Sequence, residues 1–137
     1  MRKIGITANC SNRRAGEVVR RIASKARELG LKVFADKDTA CLVKNAGEGV
    51  CRGLGTAVDA MIAVGGDGTM LRAVRELAGR NIPVMGVNIG GLGFLTCVAE
   101  RDVERALECL AKNRFSTSSR TVVKCSVMRG RKVMAGY

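Results

Sequence analysis

The stretch of this sequence best suited to chemistry is Val64–Thr69, which reads Val-Gly-Gly-Asp-Gly-Thr. An apolar run, Met61–Val64, leads into it as a buried strand would, and an apolar-periodic segment, Met70–Leu77, leaves it as a helix would. Glycines let a backbone approach phosphates closely, and the free N–H groups and dipole of a helix N-terminus attract anions. The pattern therefore predicts a polyphosphate-binding site.

One carboxylate, Asp67, stands inside this turn. Asp67 could simply cap the following helix, but a cap does not require three glycines around it. A carboxylate among anion-binding N–H groups makes better sense where a hydroxyl must lose a proton. We therefore predict that the N–H groups of Gly65, Gly66 and Gly68 contact phosphate or ribose while Asp67 accepts or orients the proton. The turn matches neither a Walker A loop nor a Rossmann G-x-G-x-x-G spacing.

A second glycine-rich loop, Asn88–Leu95, follows another apolar strand pattern. The carboxyl ends of parallel strands share one edge of a sheet, where ligands bind, so both loops are expected there. Asn88 has a donor and an acceptor for ribose or base. Phe94 has two equally compatible roles, against a base face or inside the core. Arg72, one turn into the helix that follows Thr69, either approaches a phosphate or lies on a solvated helix face.

Strand patterns alternate with helical stripes along most of the chain. Strands are predicted at Lys3–Ala8, Leu31–Ala35, Ala60–Val64 and Val84–Val87, and helices at Ala15–Leu29, after Thr69 and at Arg101–Ala111. Asn9–Arg14 reads as a polar loop, and Thr39–Leu54 is ambiguous because three glycines interrupt a helical pattern. The alternation predicts an α/β fold, a Rossmann-like parallel sheet with flanking helices.

The pattern changes near the end of the sequence. Thr121–Met128 and Lys132–Tyr137 alternate in a β manner around a turn, which predicts an antiparallel hairpin. A lone hairpin has nothing to complete its sheet. We expect residues 1–118 to form an α/β nucleotide-binding domain and residues 119–137 to begin a β-rich second domain that is truncated here.

Composition limits the class of protein. Apolar residues make up 47% of the chain, enough for a core, and no apolar run reaches transmembrane length. Without a signal-peptide pattern, we expect a cytoplasmic protein with no membrane partner. The six cysteines form no C-x-x-C pair and the chain has no histidine, so we expect no metal ligands and free, largely buried thiols.

The net charge of +12 has several interpretations. A basic surface attracts nucleic acid, an anionic membrane or a phosphorylated small molecule, and it is equally often a solvated surface. Arg13 and Arg14, after the first strand, are at the expected ligand edge and are open to the same two interpretations. Aromatic residues are only 3% of the chain, which disfavours single-strand binding by base stacking.

These residues together resemble the N-terminal domain of the NAD kinase family. The likeness rests on Gly65–Thr69 and on the run from Pro83 to Leu95, Pro-Val-Met-Gly-Val-Asn-Ile-Gly-Gly-Leu-Gly-Phe-Leu, and it extends over essentially the whole chain. The first motif is also shared with diacylglycerol-type and sphingosine-type lipid kinases, and in part with phosphofructokinases. The second motif separates the NAD kinases from the lipid kinases, because lipid kinases carry a Gly-Thr-Gly-Asn-type loop at that position.

The resemblance implies phosphorylation of the 2′-hydroxyl of the adenosine ribose of NAD, giving NADP. ATP or inorganic polyphosphate would be the donor, with a divalent cation such as Mg²⁺. Asp67 matches the family's proton acceptor. The implied nucleotide-binding set is Gly65, Gly66, Asp67, Gly68, Thr69, Arg72, Asn88 and Phe94.

The family continues into a β-rich domain that supplies an Asn-Glu or Asn-Asp pair and much of the NAD pocket. We therefore expect the isolated chain to be weak or inactive, and the complete protein to be a homo-oligomer that binds no nucleic acid. Two alternatives stay open, a lipid kinase of the diacylglycerol type and a non-catalytic nucleotide-binding or nucleic-acid-binding module. A nucleic-acid module would lose affinity steeply as salt rises.

Overall fold

The structure is a computed structural model that describes residues 1–42, 50–52, 54, 58–77, 79–91, 93–123, 125–130 and 132–136. Six strands form one parallel sheet: β1 Lys3–Ala8, β2 Lys32–Ala35, β3 Val50–Arg52, β4 Ala60–Gly65, β5 Val84–Asn88 and β6 Val98–Ala99. Their spatial order is β3-β2-β1-β4-β5-β6. The chain thus runs outward from β1 in one direction and then from β4 in the other, and such a reversal opens a crevice at the carboxyl edge.

Four helices connect the strands: α1 Arg13–Glu28, α2 Lys37–Leu42, α3 Asp67–Glu76 and α4 Val103–Ala111, the last preceded by a 3₁₀ turn at Glu100–Asp102. The predicted α/β fold is confirmed. Helix α1 begins two residues before the predicted position, because the Asn12 side chain accepts the N–H of Arg14 at 2.9 Å and caps the helix. The ambiguous segment begins as α2, and residues 43–49 lie outside the described residues.

The core has two layers, one on each face of the sheet. Side chains alternate along β4, so Ile62 and Val64 face one side while Met61 and Ala63 face the other. Helices α1 and α4 cover the first face, and α3 covers the second through Ala73 and Leu77. Helix α3 therefore starts directly above the end of β4, which fixes where the glycine turn can be.

The C-terminal hairpin has the predicted antiparallel form, with strands β7 Ser126–Arg129 and β8 Lys132–Gly136. It is a separate two-stranded sheet. The side chains of Val127 and Met128 are exposed, at 52% and 57%. The boundary at residue 118 and the second domain remain predictions.

The cysteines differ from the prediction of burial. Cys10, Cys41, Cys97 and Cys125 are exposed free thiols, and Cys109 is intermediate. The prediction was wrong because apolar neighbours in sequence need not share a face of the element. None of the helices in the described part of the chain combines the length and apolar composition needed to span a bilayer.

Candidate functional site

The two glycine-rich loops lie side by side, as predicted. Strands β4 and β5 are parallel neighbours, and their register places Gly65 opposite Asn88. Each loop leaves its strand from that pair, so both loops start at the same point of the carboxyl edge. The sheet brings together two motifs that are more than twenty residues apart in the sequence.

Asp67 joins the two loops through its carboxylate. The backbone N–H of Phe94 donates to Asp67 Oδ2 at 3.0 Å, and that of Leu95 donates to Oδ1 at 2.9 Å. These bonds favour the charged carboxylate and hold the pKa of Asp67 below its ordinary value. The helix N-cap is Gly66 and not Asp67, so the simple capping role does not hold. A carboxylate has about four lone-pair sites, so Asp67 retains capacity to accept a hydroxyl proton.

The glycines of the first turn serve two different purposes. A methyl group built at Gly65 would collide with the side chain of Thr69 and lie 3.2 Å from Asn9 Cβ, so Gly65 is needed for packing. Thr69 itself is buried, at 8% exposure, beneath the turn. A methyl group at Gly66 or Gly68 would meet nothing within 4 Å. The outer surface of the turn therefore leaves room for a ligand to reach the start of α3.

The second loop is shaped by Asn88 and presents Phe94. Asn88 Nδ2 donates to the carbonyl of Gly91 and Asn88 Oδ1 accepts the N–H of Gly90, both at 2.8 Å. Asn88 thus folds its own loop, a role that the sequence did not reveal. Phe94 is 96% exposed, so the structure places it outside the core. An exposed ring at the ligand edge is available to stack on a base.

Arg72 is directed into the protein. Its Nη2 donates to Thr7 Oγ1 at 2.5 Å and to the Ala8 carbonyl at 2.7 Å, and it lies 3.3 Å from Asp36 Oδ2. On the same helix, Glu76 Oε1 lies 3.8 Å from Arg72 Nε. The side chain is one-third exposed. Its nucleotide contact remains a prediction, while its observed contacts connect α3 to the ends of β1 and β2.

Sequence reasoning missed the polar cluster around Asp36. Asp36 accepts the N–H of Thr39 at 2.7 Å and its hydroxyl at 3.0 Å, and Thr39 Oγ1 in turn accepts the N–H of Ala8 at 2.9 Å. The signal was present in the sequence, since Asp36 follows a predicted strand and stands three residues before Thr39. Burial raises the pKa of Glu76 beside this cluster.

A basic depression of about 440 Å³ lies next to Asn88. It is lined by Arg14, Arg21, Asn88, Ile89, Gly90, Ala99, Glu100 and Arg101. Three guanidinium groups against one lining carboxylate favour an anion, although Arg21 pairs with Glu104 at 3.2 Å and Arg101 with Asp102 at 3.6 Å. The depression extends the ligand edge toward the N-terminus of α1, where Arg14 was considered a phosphate contact.

The described residues contain no group of three or more His, Cys, Asp or Glu side chains arranged to hold a metal ion. Mg²⁺ commonly binds through substrate phosphates and only one or two protein carboxylates. Of the sequence-predicted site residues, Asp67 alone carries a carboxylate. A cation at this edge would therefore be held mainly by the phosphates of a bound nucleotide.

Comparisons with known proteins find NAD kinases both by family model and by sequence. The family model described as "ATP-NAD kinase N-terminal domain" matches residues 4–115. The chain is 38% identical to the NAD kinase of Syntrophotalea carbinolica over 94% of this chain and 46% of the relative. It is 34% identical to the NAD kinase of Desulforamulus reducens over 98% of this chain and 47% of the relative. The chain thus spans about half the length of the curated relatives it matches.

Two solved structures share the fold. Yeast NADH kinase complexed with NADH superposes with a TM-score of 0.74 at 18% identity, covering 83% of this chain and 37% of that one. An NAD kinase from Archaeoglobus fulgidus in complex with ATP has a TM-score of 0.53 at 24% identity, over 82% of this chain and 38% of that one. At these identities the likeness concerns the α/β architecture.

Proposed function

The chain belongs to the ATP-NAD kinase family through its N-terminal domain, and we propose that it is the Asp67-bearing part of an NAD kinase. The reaction moves a phosphoryl group from ATP or polyphosphate to the adenosine ribose 2′-hydroxyl of NAD, giving NADP. The observation that carries this proposal is the Asp67 carboxylate, which lies between a turn open at Gly66 and Gly68 and a loop that presents Phe94. Donor phosphates and acceptor nucleoside would thus meet at one carboxylate.

Each site residue has a proposed part. Asp67 accepts the proton of the attacking hydroxyl or orients that hydroxyl. Such a base must lie within hydrogen-bond reach of the reacting oxygen. Gly65 and Gly66 form the turn that binds donor phosphate, Gly68 contacts NAD, and Thr69 lies buried beneath the turn. Mg²⁺ would neutralise phosphate charge when bound. Catalysis by positioning and electrostatics suits phosphoryl transfer, which asks little covalent chemistry of the protein.

The remaining residues concern the acceptor and the phosphates. Phe94 packs on the acceptor nucleoside, and Asn88 lies beside it. Arg72 reaches NAD only if it gives up contacts that it now makes inside the protein. The basic depression beside Asn88 supplies arginines for phosphate. We also propose a cytoplasmic homo-oligomer for the complete protein.

The experiment is an acceptor panel on two proteins. One is the 137-residue chain; the other, called the extended protein, joins residues 1–137 to the remaining C-terminal part of the Syntrophotalea carbinolica NAD kinase. With ATP and Mg²⁺, we expect NADP formation in the extended protein and little or none in the chain alone. The relative's own complete enzyme is the positive control.

The panel also tests the rival function. A lipid kinase would phosphorylate diacylglycerol in mixed micelles and leave NAD unchanged. Phosphorylation of the lipid by a folded extended protein that makes no NADP would contradict the proposal. Turnover of NAD by the isolated chain at roughly 1 per second or more, typical of enzymes, would contradict the expectation that it is incomplete.

A further inference from the structure

The loop that carries Phe94 is fastened at its two ends by its own strand. At its start, Asn88 binds the carbonyl of Gly91 at 2.8 Å. At its exit, the N–H of Cys97 donates to the Gly86 carbonyl at 3.1 Å. Neither contact involves Phe94 or Leu95. Those two residues are held instead by Asp67, from the other loop.

The Asp67 carboxylate fits tightly beneath this loop. A methyl group built at Gly93 would lie 2.6 Å from Asp67 Oδ1 and 3.0 Å from Thr96 Oγ1. Thr96 Oγ1 is itself buried and has no hydrogen-bond partner among the described residues. Any side chain at position 93 would therefore push the carboxylate away from the two N–H groups. Gly93 is required by space, since its φ is not in the left-handed region.

We propose that Asp67 and Gly93 form a positioning pair, in which the carboxylate holds the 93–96 loop and thereby sets where Phe94 meets the acceptor nucleotide. This deepens the proposed function and rests on it for the identity of the nucleotide. Asp67 then has two tasks, because the group that receives the proton also fixes the acceptor loop. Gly93 is a positioning residue that acts through Asp67.

Two bonds to a carboxylate are a substantial restraint. A hydrogen bond to a charged acceptor is stronger than one between neutral groups. No charged side chain is among the causes of the lowered pKa of Asp67, which come from the backbone N–H groups of Phe94, Leu95 and Thr96. The hold therefore depends on loop geometry, and a one-methyl change at Gly93 is enough to disturb it.

The test measures amide hydrogen exchange at Phe94 and Leu95 by NMR in the 137-residue chain without nucleotide. Asp67→Ala removes both acceptors, and Gly93→Ala displaces them while keeping the carboxylate. We expect exchange at both amides to become about tenfold faster in each variant, because each amide loses a charged acceptor. Exchange at Ile62 in β4 should stay unchanged, which shows that the fold is intact.

Gly91→Ala is the matched control, because a methyl group there meets nothing within 4 Å. Unchanged exchange at Phe94 and Leu95 in Gly93→Ala, or equal acceleration in Gly91→Ala, would overturn the proposal. This readout needs no nucleotide, so it stands or falls separately from the proposed function.

A kinetic readout then connects the loop to the acceptor. In the extended protein, Gly93→Ala should raise the KM for NAD by about tenfold because the acceptor loop is displaced, and it should lower kcat less than Asp67→Ala does, because the carboxylate is shifted but still present. A fall in kcat with an unchanged KM for NAD would mean that Gly93 does not position the acceptor.

Discussion

Single residues at this site make contacts that could not be predicted from residue type alone. Asp67 was recognised from its glycine neighbours, and its place at the ligand edge follows from the strand before it. Its bonds to Phe94 and Leu95 could not be predicted, since they join positions 27 and 28 residues apart. The resemblance implies that Arg72 contacts a nucleotide, which stays a prediction. In the structure its side chain donates to Thr7 and Ala8 of β1.

Arg72 should therefore matter for stability. Arg72→Met keeps an apolar stem but removes the donors to Thr7 and Ala8, so the free energy of unfolding should fall by about 1–3 kcal/mol. Urea denaturation measures this. Arg101→Met is the control, since Arg101 is 88% exposed and should change stability by no more than about 0.5 kcal/mol. Equal losses in both variants would contradict the internal role of Arg72.

Elements are held in register by polar contacts at the opposite end of the sheet. Asp59, one residue before β4, accepts the N–H groups of Arg2 and Lys3 at 2.6 and 2.9 Å. Helices α1 and α4 are joined by Lys25 and Glu108 at 2.7 Å. Apolar runs predicted the strands well, because a parallel sheet that is buried on both faces requires continuous apolar residues in its strands. The two-residue β6 was missed because so short a strand has no periodicity to detect.

Asp59 predicts how stability depends on pH. The N–H groups of Arg2 and Lys3 lower the folded-state pKa of Asp59, so its contribution is present above the unfolded value of about 3.9. That contribution is lost as pH falls through the lower folded pKa. Asp59→Asn should therefore be less stable than the unchanged chain at neutral pH, and the difference should vanish in acid. Urea denaturation at a series of pH values tests this; a difference that grows in acid would contradict it.

At the scale of the whole molecule, the predictions of the α/β class and of the family are confirmed, and the ligand edge stays a prediction. Alternating strands and helices leave few topologies, and parallel strands must present their carboxyl ends together. The net charge of +12 predicted little by itself, because basic residues serve anion binding and ordinary solvation alike. The chain spans about half the length of the curated relatives, so activity of the isolated chain is left to the acceptor experiment.

The measurement that tests the central claim most directly is turnover of NAD by the extended protein with and without Asp67→Asn. If Asp67 accepts the proton of the attacking hydroxyl, kcat for NADP formation should fall by roughly 10²–10⁴-fold, the usual contribution of a positioned base. Circular dichroism establishes that the variant is folded. Turnover that survives nearly unchanged would contradict the assignment of Asp67 and, with it, the proposed mechanism.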